Sequence, residues 1–332
     1  MIAPGLAIAP CVAISAWLAI AMAGCEGGEG GGAALPARFA IAALSSEPRL
    51  AVVQSATLAP IVSIALASSE RPERIAWAPG TAIVVGVRDG AAGSLLAIDT
   101  LSGEPRLLGE LDEAAAGLAV TPDGRALATL RSAGALVIIG TEGDELARHA
   151  PCAGPTSVIA IDAARALVAC PEDDAVVLLE LASGAATRIE VPAAPIALAR
   201  LSGTRALVAC ADARSASVLA LDGAPRALDP VALEGAPVLA ASSPDGASAW
   251  IAIADAGTAA LVELSDEGTV GRSWSLGSAA PGGLVIAPDG ADALVTDRTS
   301  GRAQVIALAT GEARADAPLG GAPLDVAVIE RR

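Results

Sequence analysis

At 332 residues, with 37 acidic side chains against 21 basic ones and a formal net charge of −16, the chain repels polyanions, and it carries no basic patch that would serve nucleic acid. Lysine, asparagine and tyrosine are absent and every basic residue but one histidine is arginine, a bias of the kind a GC-rich genome imposes. The 53% hydrophobic fraction is largely alanine, and beyond the N-terminus no apolar run approaches the ~18 residues that a membrane-spanning helix requires.

Residues 2–24 are uncharged and mostly apolar, and they end in Leu18-Ala19-Ile20-Ala21-Met22-Ala23-Gly24-Cys25. Small residues directly before a cysteine resemble a bacterial lipobox. That resemblance implies cleavage before Cys25 and acylation of its thiol, with residues 1–24 a signal peptide. The stretch is also long enough for an uncleaved anchor, and ordinary secretory cleavage is a third outcome. All three place the remainder of the chain outside the cytoplasm, in the cell envelope. Residues 25–37, opening Glu26-Gly27-Gly28-Glu29-Gly30-Gly31-Gly32, have the composition of a flexible tether.

From residue 38 onward a unit of about 40 residues recurs. Its anchor is a small residue followed by Leu, Ile or Trp, as in Ala82-Ile83, Ala126-Leu127, Ala166-Leu167, Ala206-Leu207, Ala249-Trp250 and Ala293-Leu294, spaced 44, 40, 40, 43 and 44 residues apart. Short strands and turns at that period indicate a β-propeller of four-stranded antiparallel blades. In chain order, Arg38–Ile41, Leu50–Gln54 and Ile61–Leu66 read as the second, third and fourth strands of a blade without a first. Six complete units then begin near Ile75, Leu118, Val158, Ile196, Leu239 and Leu284. The unit at Thr156 is the clearest. Ser157–Ile161, Arg165–Cys170, Ala175–Leu181 and Thr187–Val191 are its strands, with Pro171-Glu172-Asp173-Asp174 and Ser183-Gly184 as turns. Pro122-Asp123-Gly124, Pro244-Asp245-Gly246 and Pro288-Asp289-Gly290 are turns in which proline presets φ and glycine supplies its positive value. Leu324–Val328 reads as a surplus first strand. Joined to the three N-terminal strands it completes a seventh blade, so the expectation is an all-β, seven-bladed propeller spanning residues 38–332 with no exposed sheet edge at its seam.

The segments Ala119-Val120-Thr121-Pro122-Asp123-Gly124 and Leu95-Leu96-Ala97-Ile98-Asp99-Thr100-Leu101-Ser102-Gly103 resemble the blade pattern of YVTN-type seven-bladed propellers, a likeness that covers about residues 38–332. WD-type Gly-His and Trp-Asp pairs are absent.

In such a fold the loops between second and third strands, and those between blades, share the face where ligands enter. The candidate residues there are Arg88, Asp89, Arg131, Glu172, Asp173, Asp174, Asp212, Arg214, Asp255, Asp297 and Arg298. A rim of mixed charge can take a cation or a polar ligand, and it can equally be a solvated set of turns. The Pro-Asp-Gly aspartates belong to the opposite face as turn formers. Cys170 and Cys210 end identical Arg-Ala-Leu-Val-Ala-Cys segments in adjacent blades, and Cys152 lies in the loop entering the blade of Cys170. A Cys152–Cys170 disulfide, free buried thiols, or a zinc site with His149 are the three readings. One histidine offers a single general base, and neither a Gly-x-Ser-x-Gly elbow nor a His-Glu-x-x-His pair occurs. The expectation is therefore a monomeric, non-catalytic binding module or scaffold of the envelope, without cofactor or resident metal. Its partner would be an envelope protein or glycan, with the lipid bilayer engaged through acylated Cys25. An envelope hydrolase or lactonase-like enzyme using loop-face acids is the alternative.

Overall fold

The computed structural model describes residues 34–331 except 256, 278 and 279, so Cys11 and Cys25 lie outside the described residues. Seven sheets form a closed ring. Blade 1 takes its innermost strand from the C-terminal Pro323–Glu330 and its others from Arg38–Leu44, Arg49–Val53 and Pro60–Ala65. Blades 2, 3 and 4 begin with inner strands Arg71–Ala76, Gly117–Val120 and Val158–Ala160, and blades 5, 6 and 7 with Pro195–Arg200, Ala236–Ser242 and Pro281–Ile286. All pairings are antiparallel. The closing strand runs beside Arg38–Leu44 in a register that sets Ala40 opposite Val328 and Ala42 opposite Val326. The seam is thus the one expected, three strands from one end of the chain and one from the other. Strand limits differ from those expected by up to three or four residues, as where Arg38–Ile41 extends to Leu44 and the inner strand expected near Ile75 begins at Arg71.

Blade 5 departs from the pattern at its outer edge. Its fourth strand is broken into Arg226–Ala227 and Val231–Ala232, both pairing with Ser215–Ala220. Pro230 lies in the break, where it has no amide to give to a ladder.

The core lies between blades. Seven apolar clusters fill the seven interfaces. Strand periodicity divides the side chains between them. From Arg38–Leu44, Phe39, Ile41 and Ala43 face the cluster shared with blade 2, whereas Ala40, Ala42 and Leu44 face the one shared with blade 7. Second and third strands are buried on both sides, which is why they read as continuous Val, Leu and Ala.

Near the axis the inner strands approach so closely that only glycine fits. A Cβ on Gly117 would stand 2.1 Å from the Thr156 carbonyl oxygen, and one on Gly282 2.1 Å from that of Pro323. A buried threonine bridges each of these gaps. Thr129 Oγ1 donates to the Thr156 oxygen at 2.7 Å and accepts from the Gly117 amide at 2.7 Å, and Thr296 Oγ1 donates to the Pro323 oxygen at 3.3 Å. No helix among the described residues is long and apolar enough to cross a membrane.

Candidate functional site

All seven blades contribute to one cavity of about 720 Å³ at the loop-rich end of the central channel. Its apolar wall consists of Leu118, Val158, Ile159, Leu198 and Leu239 from inner strands. Its charged residues are Glu73, Arg74, Arg131, Arg298 and Asp325. A further space of about 450 Å³ continues along the axis from the same inner strands, past Ile75 and Val326 to Trp77 and Val328. Each inner strand is hydrogen-bonded on one side only, so its free edge turns peptide groups toward the lumen.

Of the candidates read from the sequence, Arg131 and Arg298 line this cavity. They hold equivalent places, each the first residue after a second strand, Ala126–Leu130 in blade 3 and Asp292–Asp297 in blade 7. Both are exposed, and Arg131 stands 3.8 Å from Glu172, a long and solvated pair. The remaining candidates are used in holding loops. Arg88 pairs with Glu73 at 2.6 Å, and Asp89 accepts from Ser69 Oγ at 3.1 Å. Asp173 lies 3.9 Å from Arg188, and Asp174 accepts the Ala194 amide at 2.9 Å. Arg214 reaches Asp255 at 2.8 Å, tying blade 5 to blade 6. Asp297 is buried and accepts the Thr299 and Ser300 amides, each at 2.7 Å, which makes it the cap of its own turn. Asp212 is exposed on the rim outside the cavity.

The same hairpin closes with a left-handed residue in successive blades. Gly90, Gly134 and Gly301 fill that place in blades 2, 3 and 7, but blades 4 and 5 use Asp174 (φ 48°) and Arg214 (φ 45°). Each of the two is held there by its own side-chain bonds, which offset the cost of a Cβ in that region.

Sequence reading missed Glu73, Arg74 and Asp325, because all three lie on strands rather than loops. Arg74 Nε donates to the Ala116 oxygen at 2.8 Å, the bridge to blade 3 that Thr129 and Thr296 make elsewhere. Asp325, on the closing strand, accepts the Ile75 amide of blade 2 at 3.0 Å and the Val326 amide at 2.8 Å. Desolvation pushes its carboxyl above the ordinary carboxylate range; Arg74 and the two amides oppose that shift without cancelling it.

The sign of the resulting pH dependence is fixed by that shift. A carboxyl whose folded pKa is raised stabilises the fold most below its unfolded value of about 4 and loses that contribution as pH rises through the folded value. Asp325→Asn, which keeps an acceptor for Ile75 but cannot ionise, should therefore gain on the native protein between pH 4 and pH 8. Urea unfolding at several pH values measures this, and a stability gap independent of pH would contradict it.

Cys152 and Cys170 form a disulfide with Cα atoms 6.1 Å apart. His149 instead makes a 2.8 Å bond to the Leu181 oxygen in blade 4, and among the described residues no cluster with metal-holding geometry occurs. Cys210 is a free thiol, fully buried in the interface of blades 4 and 5, and burial pushes it up to about 12. It is inert at neutral pH. On the opposite face the Pro-Asp-Gly aspartates serve their turns, Asp245 accepting the Ala247 amide at 3.0 Å and Asp289 the Ala291 amide at 3.0 Å. Asp289 also pairs with Arg38 of blade 1, across the interface of blades 7 and 1, at 2.9 Å.

No protein-family model matches the sequence, and no curated protein matches it. Solved structures do. A functionally unknown protein from Desulfotomaculum acetoxidans superposes with a TM-score of 0.72 at 14% identity, covering 89% of this chain and 99% of that one. The periplasmic gluconolactonase PpgL of Pseudomonas aeruginosa gives 0.70 at 15% identity, over 88% and 99%. The hydrazine synthase of Kuenenia stuttgartiensis gives 0.65 at 16%, over 76% and 88%. The likeness is one of fold. A lactonase and a hydrazine synthase share it, so it assigns no chemistry.

Proposed function

We propose that this chain is a YVTN-type propeller of the bacterial cell envelope, tethered to a membrane through acylated Cys25, and that it acts as a non-catalytic binding module whose ligand enters the channel mouth. The observation that carries this reading is the division of labour among the charged groups there. Carboxylates that could serve as general bases are committed to hydrogen bonds within the fold: Glu73 to Arg88, Asp325 to the Ile75 and Val326 amides, and Asp297 to its own turn. The arginines at the first loop position, Arg131 and Arg298, are held loosely or face the lumen. Groups so placed bind, and no hydrogen-bonded base and nucleophile accompany them among the described residues. An envelope protein or glycan presenting a small polar group is the partner class that suits such a mouth.

A second reading, a lactonase-like hydrolase, is favoured by the fold shared with the Pseudomonas gluconolactonase. Turnover of aldonolactones that Arg131→Ala or Asp325→Asn abolishes, in protein that still folds, would establish it in place of the first. The membrane attachment has its own check. Cys25→Ser should leave an unacylated, unprocessed precursor while Cys11→Ser changes nothing, as intact mass and membrane partitioning would record. Equal acylation in the native and Cys25→Ser proteins would refute the anchor.

A further inference from the structure

The channel mouth reverses the charge of the molecule around it. On a chain of net charge −16, three arginines converge on one cavity of about 720 Å³. We infer that the ligand taken at this mouth is a small organic anion recognised through a carboxylate, held by Arg131 and Arg298 with Arg74 beneath. This deepens the binding reading above and rests on it.

Four observations converge. Arg74 is fixed by its bonds to the Ala116 and Glu73 carbonyl oxygens, at 2.8 and 3.0 Å, which orients the guanidinium in the wall. Arg131 and Arg298 approach from blades 3 and 7 at equivalent places, and among the described residues neither makes an ion pair shorter than 3.8 Å. Thr156 lines the same cavity, and its Oγ1 is shielded from solvent with no hydrogen-bond partner among the described residues, an unusual cost for a hydroxyl unless something else bonds to it. Finally, the wall already shows how it takes a carboxylate. Asp325 sits against the free edge of the neighbouring inner strand and accepts the Ile75 amide.

The size of the space fits a metabolite or a chain terminus rather than a polymer. Planar carboxylate matches the guanidinium fork, and a single negative charge suits a mouth that also contains Glu73 and Asp325 better than the double charge of phosphate.

Isothermal titration of the propeller at neutral pH with monomethyl glutarate (hereafter glutarate), which carries one ionised carboxylate, with the neutral diamide of glutaric acid and with inorganic phosphate tests the inference. Glutarate should bind, the diamide should bind at least about tenfold more weakly, and phosphate should be weaker than glutarate. Arg131→Ala and Arg298→Ala should each cost at least about tenfold in glutarate affinity with the melting temperature unchanged, while Arg226→Ala, on the exposed outer edge of blade 5, should cost nothing. Equal binding of diamide and glutarate, lost in both arginine variants, would preserve a channel-mouth site but overturn the anion class. Phosphate binding more tightly than glutarate would overturn the carboxylate. No binding that depends on Arg131 or Arg298 for any of the three probes would overturn this inference, and envelope glycan binding insensitive to both arginines would show that the binding reading survives it.

Discussion

Deleting residues 323–332 should abolish the folded monomer. The deletion removes the inner strand of blade 1, and with it Val326, Val328 and Ile329, whose exposures are 5%, 6% and 0%. Burial of three such side chains is worth roughly 1.5 to 3 kcal/mol each, a large share of the typical 5 to 15 kcal/mol that holds a domain together. The deletion also strips Asp325 from the Ile75 amide and uncovers Arg38–Leu44 as a long apolar sheet edge, which invites pairing between molecules. Light scattering coupled to gel filtration should report aggregates, and thermal scans should show no cooperative transition near that of the full chain. A monomeric truncated protein with unchanged melting would mean that the ring does not depend on its seam.

The second large effect belongs to the Cys152–Cys170 disulfide, which closes a loop of sequence separation 18. Chain entropy values such a loop at about 3 kcal/mol. The bond also ties down the loop that leads into Thr156 and Ser157, which line the cavity. Cys152→Ser should cost about 2 to 4 kcal/mol and lower the melting temperature by several degrees. Cys170→Ser should cost more, because that position is fully buried and a hydroxyl there would need a partner. Non-reducing peptide mapping should recover the 152–170 link and a free Cys210. A Cys170–Cys210 link, or thiol-reduced protein that melts with the oxidised form, would refute the role given to this bond.

Blade number, blade order and the seam were legible in the chain because local chemistry specifies each of them. Alternating apolar residues such as Phe39, Ile41 and Ala43 write two packing faces into one strand. Pro-Asp-Gly turns close hairpins over four residues, and a strand missing at one end matches a surplus at the other. The proximity of Cys152 and Cys170 was legible for the same reason, since one antiparallel hairpin brings the loop and the second strand's end together.

The site was legible only in part. A loop position tells that a side chain lies on the ligand face, and it does not tell whether the side chain turns to the axis or to the next loop. Arg131 and Arg298, first residues of their loops, line the axial cavity, Arg131 also lying 3.8 Å from Glu172 of the next loop, whereas Arg214 and Asp255 turn to each other and Asp297 turns back on its own amides. Glu73, Arg74 and Asp325 gave no loop signal at all. They stand on inner strands two hundred and fifty or so residues apart at the extremes, and only closure of the ring brings Asp325 to the Ile75 amide and beside Arg74. Local pattern determined the ring. Its curvature decided which charges face the lumen, because that depends on how seven wedges meet rather than on any one of them.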